Sequence, residues 1–352
     1  MKLIQTVDAE GTVLCHDITQ IIKGVTKDAV FRKGHVVTKE DIPVLLSVGK
    51  DQLYVWEKEE GMLHENEGAR LLCSLCQGSY MESSRPKEGK IELTAGCDGL
   101  FKVNHRGLRA VNTLGQMMIA TRHGNFPVKK GDKLAGTRII PLVIEAEKME
   151  AAEKAAMEAT GGKPILDLLP FVHKRVGIVT TGNEVYYKRI EDTFTPVIME
   201  KLGEFDTEVI SHVTWNDDDK KVTASILEMI GQGADVVICT GGMSVDPDDK
   251  TPLAIRNTGA RIVSYGAPVL PGAMFLLAYY EVKEEGGSRT AVIMGLPGCV
   301  MYAKRTIFDL VLPRVMADDE VTAGELAALG QGGLCLSCPV CTYPNCGFGK
   351  GM

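Results

Sequence analysis

Aromatic residues are only 6% of the 352-residue chain, with two tryptophans. No apolar run approaches the roughly 20 residues a membrane-spanning helix needs, so spanning helices are excluded. The opening MKLIQTVDAEGTVLCHD meets acidic residues before any continuous apolar stretch, which is not the pattern of a secretory signal. A strong charge of one sign is missing too. With 39 basic and 46 acidic residues the formal charge is -7, which offers no broad basic face for nucleic acid or an anionic membrane. Neither G-x-G-x-x-G nor G-x-x-x-x-G-K-[ST] occurs, which disfavours a Rossmann dinucleotide site and a P-loop. The histidines show no ligand spacing. The sequence therefore predicts a cytoplasmic globular protein, and its length suggests two or three domains.

Cysteine is the residue type in surplus. Ten are present, which in a large cytoplasmic chain points to reduced thiols or metal ligands rather than a disulfide framework. Cys335, Cys338, Cys341 and Cys346 crowd GGLCLSCPVCTYPNCGFGKG, and four thiolates this close suit a tetrahedral Zn2+ or an iron–sulfur cluster. Cys73 and Cys76 lie in ARLLCSLCQG and read as buried helix residues.

The hydrophobic pattern divides the chain into five parts. Residues 1–67 read as a small α+β module, with a short helix capped by Thr38 and ended by Gly49 before a strand at 52–56. Residues 68–145 read as a β-rich module punctuated by glycines. A helical linker of strong helix formers follows within 146–172, ending at Gly161-Gly162. Between 173 and 316, β-branched runs alternate with amphipathic stretches. Strands are expected at 175–180, 207–213, 234–240, 261–265 and 290–294, and helices near 194–203, 217–231, 252–257 and 299–312. That rhythm predicts an α/β domain with a three-layer parallel sheet, whose ligand site lies beyond the carboxyl ends of the strands. Residues 317–352 form a Cys-rich tail, expected to be separable because the α/β elements are complete before Arg314.

Four glycine turns mark this segment, three of them directly after strands. Thr180-Thr181-Gly182-Asn183-Glu184 follows the first strand and offers hydroxyls and an amide. Thr240-Gly241-Gly242-Met243-Ser244 follows a buried strand, and its glycines let backbone N–H groups approach an anion. Asp246, Asp248 and Asp249 come next, a set of oxygen ligands suited to Mg2+. Gly295-Leu296-Pro297-Gly298 and Leu270-Pro271-Gly272-Ala273 complete the group, and separate strand ends of this kind converge on one cleft.

In this order and spacing, T-G-N-E-V, T-G-G-M-S-V, L-P-G-A and G-L-P-G resemble the molybdopterin-binding domain of molybdenum-cofactor biosynthesis proteins, over about 173–316. The molybdopterin molybdotransferases are the most similar members, and HDIT at 16–19 with FRKGHVVTKEDIPVLLSVG resembles their N-terminal parts. Asp248 to Pro252 is similar to the Asp-x-Thr-Pro of smaller adenylating relatives. The resemblance implies binding of molybdopterin or its adenylated form, with Mg2+, as part of cofactor biosynthesis. It places cofactor contacts at Thr180, Thr181, Gly182, Asn183, Thr240, Gly241, Gly242, Ser244, Pro271, Gly272, Gly295, Pro297 and Gly298. Glu184 and Asp249 take the catalytic positions, and Asp246 and Asp249 the metal positions.

Where the family has an acid, a lysine, a further aspartate and Asn-Pro, this chain has Asn183, Ala273, Pro247 and Cys299-Val300. Losing a carboxylate and an ammonium removes electrostatic stabilisation of a charged transition state, so binding is expected to outlast turnover. Two functions follow: a molybdotransferase-like enzyme inserting molybdate or handling adenylyl-molybdopterin, or a non-catalytic cofactor carrier or sensor with a metal-binding tail. The resemblance also implies a homodimer, with a molybdoenzyme or a cofactor-biosynthesis protein as partner.

Overall fold

The computed structural model describes residues 2–22, 26–55, 60–244, 246, 249–284 and 287–351. The chain forms two compact units. The first comprises residues 1–96, 103–122 and 130–167, and the second 97–102, 123–129 and 168–352. Pro247 and Asp248 of the acidic run, and residue 56 at the end of the expected early strand, lie outside the described residues.

In the first unit, strand Lys2–Gln5 pairs antiparallel with Gln52–Val55, and Ile18–Ile22 with Thr26–Phe31. A small core of Leu14, Ile18, Val37, Leu45 and Leu53 holds these strands to helix α1 (Asp41–Ser47). Thr38 does not cap α1; its N–H and hydroxyl both donate to the Asp41 carboxylate, 2.8 and 2.9 Å away. Further along, helix α2 (Glu65–Cys76) opens with a capping box in which His64 accepts from the chain and Glu67 answers back. Cys73 and Cys76 are buried in α2, as their apolar setting predicts. An antiparallel sheet follows in the order 81–83, 90–95, 133–139, 117–121. Its strand Lys90–Ala95 alternates exposed and buried side chains in the manner of a half-covered sheet.

Helix α3 (His105–Asn112) also belongs to the first unit, as does α4 (Ala146–Thr160). Helix α4 stops at Gly161, whose φ of 67° is the left-handed C-cap that glycine supplies without strain. The expected linker is thus a packed helix, burying Met149, Ala152 and Ala156.

The second unit is built on a six-stranded sheet with the order 207–215, 174–181, 236–240, 287–296, 276–284, 261–265. The first four strands are parallel, as the sequence rhythm predicts. The fifth alone runs against them, because the apolar run Leu276–Glu284 is a strand that hairpins onto Gly287–Leu296, and Arg261–Tyr265 pairs antiparallel with it at the edge. The sheet is therefore mixed, with helices on both faces. On one face, Val176, Ile178, Val236, Ile238 and Met294 pack on α6 (Phe194–Leu202) and α9 (Ile307–Met316). On the other, Val179, Val237, Cys239 and Ile293 pack on α7 (Asp219–Gly231) and α8 (Thr251–Asn257). The short helix α5 (Asn183–Tyr186) lies between the first of these strands and α6. Alternate residues of one strand face opposite layers, which explains why these strands read as continuous apolar runs.

The helix expected at 299–312 starts later. Gly298–Met301 forms a 3-10 turn, and α9 begins only at Ile307, after Thr306 and Asp309 close a capping box. The tail packs onto the core rather than standing apart from it. Leu326 in α10 (Ala323–Ala328) is 2% exposed and Phe348 is 4% exposed, and both belong to the cluster that α9 builds. Gly349 lies so near Leu310 that no Cβ would fit there.

Candidate functional site

Parallel register brings three of the motifs to one edge of the second unit. Thr180 pairs with Thr240, and Thr240 with Leu296, so the turns after these strands emerge side by side. Leu276 lies opposite Gly295 in the antiparallel hairpin, which carries the preceding Pro271-Gly272 to the same edge. This is the strand-end position at which open α/β sheets take ligands.

The glycines there are required by packing. Gly241 has φ +80° and Gly242 φ +53°, and a Cβ on Gly241 would collide with the Thr181 carbonyl. At Gly272, with φ +134°, a Cβ would press on Ile307, and at Gly295 it would meet the Met243 thioether. Gly298 differs: it is exposed, and a Cβ there would meet nothing within 4 Å.

The two threonines of the first motif face opposite layers. The Thr181 hydroxyl donates to the Thr240 carbonyl at 3.2 Å and meets the Thr251 hydroxyl at 3.0 Å, while Thr251 donates to the Gly241 carbonyl at 2.8 Å. These bonds lock the glycine turn to the start of α8. Thr180 turns toward α6, where its hydroxyl lies 3.1 Å from His212 Nε2 and 3.2 Å from the Thr195 hydroxyl. Asp192 completes that cluster by accepting from the Thr195 hydroxyl and from the N–H groups of Phe194 and Thr195. Burial alone would raise the Asp192 carboxyl, but these hydrogen bonds outweigh it and hold it below its ordinary range. Thr240 is fully buried, and among the described residues its hydroxyl oxygen has no hydrogen-bond partner.

The acidic residues have distinct tasks. Asp249 accepts from the Ser244 N–H at 2.9 Å, and its own N–H donates to the Asp246 carbonyl at 2.9 Å, so it staples the loop. Burial, and then the charge of Asp249, raise the Tyr265 phenol, whose hydroxyl donates to the Met243 carbonyl at 2.9 Å. Glu184 is exposed on α5, and the Asn183 N–H donates to Asp217 at 3.3 Å. Among the described residues, which leave out Asp248, no group of three or more His, Cys, Asp or Glu is placed to hold a metal ion. Likewise Cys335, Cys338, Cys341 and Cys346 do not gather into a zinc or cluster site. Cys335 is drawn to the 270s, its N–H donating to the Leu270 carbonyl at 2.8 Å, and Cys335 and Cys346 pack on the core, while Cys338 and Cys341 are exposed.

Sequence reasoning missed Asp192, Thr195, His212, Asp217 and Tyr265. None sits in a glycine motif, and only the crossing of strands and helices brings them to this edge. Thr251 was legible through its Asp-x-Thr-Pro context.

With that geometry in place, comparison with known proteins agrees with the motifs. Residues 177–317 match the family described as a probable molybdopterin binding domain, and residues 3–57 match a domain of unknown function. A molybdopterin molybdenumtransferase of Synechococcus elongatus is 26% identical over 206 residues, covering 55% of this chain and 47% of that protein. A CinA-like protein of Mycobacterium tuberculosis is 36% identical over 94 residues, covering 26% of this chain and 22% of its own length. The chain thus spans about half of the first relative and about a fifth of the second. Among solved structures, the tungsten cofactor synthesizing protein MoaB of Pyrococcus furiosus aligns at 23% identity with a TM-score of 0.31, covering 36% of this chain and 84% of its own. No helix among the described residues is long and apolar enough to cross a membrane.

Proposed function

We propose that the second unit binds molybdopterin at the edge formed by Thr180–Asn183, Thr240–Ser244, Pro271-Gly272 and Gly295–Gly298, in molybdenum-cofactor biosynthesis. One observation carries this reading: the paired glycines 241 and 242, at positive φ and in register with the neighbouring strand ends, with no side chain of their own over the backbone. Such turns suit a phosphate-bearing ligand, because backbone N–H groups approach it closely. The buried Thr240 hydroxyl beneath the turn adds hydrogen-bonding capacity that no described residue uses. The bound pterin would supply the sulfur ligands for the metal. The chain's own residues bind and orient it, with Thr181 and Thr251 fixing the turn and Asp249 fixing the loop beside it.

Turnover is the weaker part. Asn183 and Ala273 stand where the related motifs carry an acid and a lysine, and Asp249 is spent on Ser244. A carrier or sensor of the cofactor is therefore favoured over a full molybdate-inserting enzyme, acting as a homodimer that hands its ligand to a biosynthetic partner or a molybdoenzyme.

Gly298 provides the test. Gly298→Val places a side chain in open space, so the fold and melting temperature should hold while the bulk obstructs the ligand. Calorimetric titration with molybdopterin should show binding to the natural protein and at least tenfold weaker binding to the variant; equal affinities would move the site elsewhere. In a purified assay with molybdopterin and molybdate, little insertion is expected, and efficient insertion would restore the enzyme reading.

A further inference from the structure

The first unit contains a cluster of reactive side chains that the pterin site leaves unused. His64, 1% exposed, caps α2 and joins three segments. Its Nε2 faces the Cys15 carbonyl at 2.8 Å, which can only accept, so Nε2 carries the proton. Its Nδ1 then accepts from the Asn66 N–H at 3.1 Å and faces the Lys33 ammonium at 3.0 Å. Burial, foremost, lowers the imidazole's pKa, in keeping with a neutral ring. The Lys33 loop is itself fixed, because its backbone N–H donates to Asp17 at 2.7 Å.

These groups line a cleft of about 520 Å3, with Arg70 on the exposed face of α2 and Val13 as an apolar wall. Its charges are unequal. Lys33 and Arg70 bring two cationic heads against one lining carboxylate, Glu67, which keeps its charge while accepting from the His64 backbone N–H at 2.9 Å. Behind the cleft, burial pushes the Glu65 carboxyl up to about 7; burial also lowers the Lys33 ammonium from its ordinary range, against which the charges of Glu65 and Glu67 favour its protonated form. The volume falls within the usual range for small-molecule sites and exceeds what a bare inorganic ion fills.

We propose that this cleft binds a small organic oxyanion, its phosphate or carboxylate head held between Lys33 and Arg70 and its carbon skeleton against Val13. Arginine offers two parallel donors to such a head, and the His64 imidazole holds the lysine in place. The site is independent of the pterin reading and lies partly in the segment whose matched family has no assigned function.

The test uses the full chain, titrated by calorimetry with glycerol 3-phosphate, malonate and uncharged glycerol. Saturable binding of glycerol 3-phosphate or malonate but not glycerol is expected, and whichever binds identifies the preferred head group. Arg70→Ala, at an exposed position, should keep the natural melting temperature and weaken binding at least tenfold; Lys33→Met, which also removes the contact to His64, should weaken binding at least tenfold whether or not its melting temperature falls. In the unaltered protein, the bound anion should slow acylation of Lys33 severalfold, read by peptide mass spectrometry. Gly298→Val should leave all of this unchanged. Absence of saturable binding by both anions, or equal affinity in both variants, overturns the proposal.

Discussion

The Lys201 ammonium lies 2.6 Å from the Asp309 carboxylate, with the two side chains only 11% and 4% exposed. This pair joins α6 to α9 beneath the 3-10 turn that follows the Gly295–Gly298 motif. Asp309 also accepts from Arg305 at 2.8 Å and from the Thr306 N–H at 2.7 Å, so its charge is surrounded by donors.

Removing one side of a buried pair leaves an uncompensated charge, at a typical cost of about 3–5 kcal/mol. Lys201→Ala should fall at or below the low end of that range, because Arg305 and Thr306 still serve Asp309. Asp309→Ala should cost more, since it strands two cations and the α9 cap together. Urea denaturation of both variants gives the comparison, and a smaller loss for Asp309→Ala would contradict the assigned network.

The Cys-rich tail is expected to be necessary for stability. Phe348→Ala empties a site 4% exposed in the main core and should cost about 3 kcal/mol or more. Ending the chain after Met316 also removes Leu326 and Tyr343, the latter donating to the Asp309 carbonyl at 3.0 Å. That shortened protein should melt well below the full chain, and an unchanged melting temperature would show the tail to be an appendage.

Glu65 predicts a pH dependence in the first unit. Its ordinary carboxyl value of 4.5 rises to about 7 in the folded state, mainly through burial. Between these values the folded form binds the extra proton, so this group's contribution to stability is fullest below about 4.5 and is lost as pH rises through about 7. Glu65→Gln removes the penalty. Its stability relative to the natural protein should improve from pH 5 to pH 8 by on the order of 2 kcal/mol, as one pKa unit corresponds to about 1.4 kcal/mol. Chemical denaturation at the two pH values that shows no differential change would contradict this burial effect.

Thr240→Val tests the unpartnered hydroxyl. The substitution keeps the shape of the side chain and removes a buried polar group that lacks a protein partner, so the ligand-free protein should gain about 1 kcal/mol or more. Pterin affinity should fall. A destabilised ligand-free variant would mean that the hydroxyl is satisfied within the fold.

The four parallel strands and their glycine turns were legible because buried strands demand unbroken β-branched runs, and turns at positive φ demand glycine. Thr180 and Thr240 could therefore be assigned to strand ends from local pattern alone, whereas the last parallel strand runs two residues past its expected end, to Leu296. The run Leu276–Glu284 could not be oriented in this way, since apolar residues suit either strand direction; its hairpin with Gly287–Leu296 made the sheet mixed. Cysteine spacing in the tail suggested a metal because ligand chemistry is written in short intervals. The tail's actual course follows Phe348 and Tyr343 into a core whose other members lie far away in sequence.

The sequence by itself determined the α/β rhythm, the glycine turns and the family they resemble, because each depends on residues close together in the chain. Only tertiary structure decided that Thr180 faces His212 while Thr181 faces Thr251, that Asp249 is a loop staple, and that Cys15, Lys33 and His64 meet around one cleft. Those relationships arise from strand pairing and helix packing across dozens of residues, where periodicity carries no information about which side chains become neighbours.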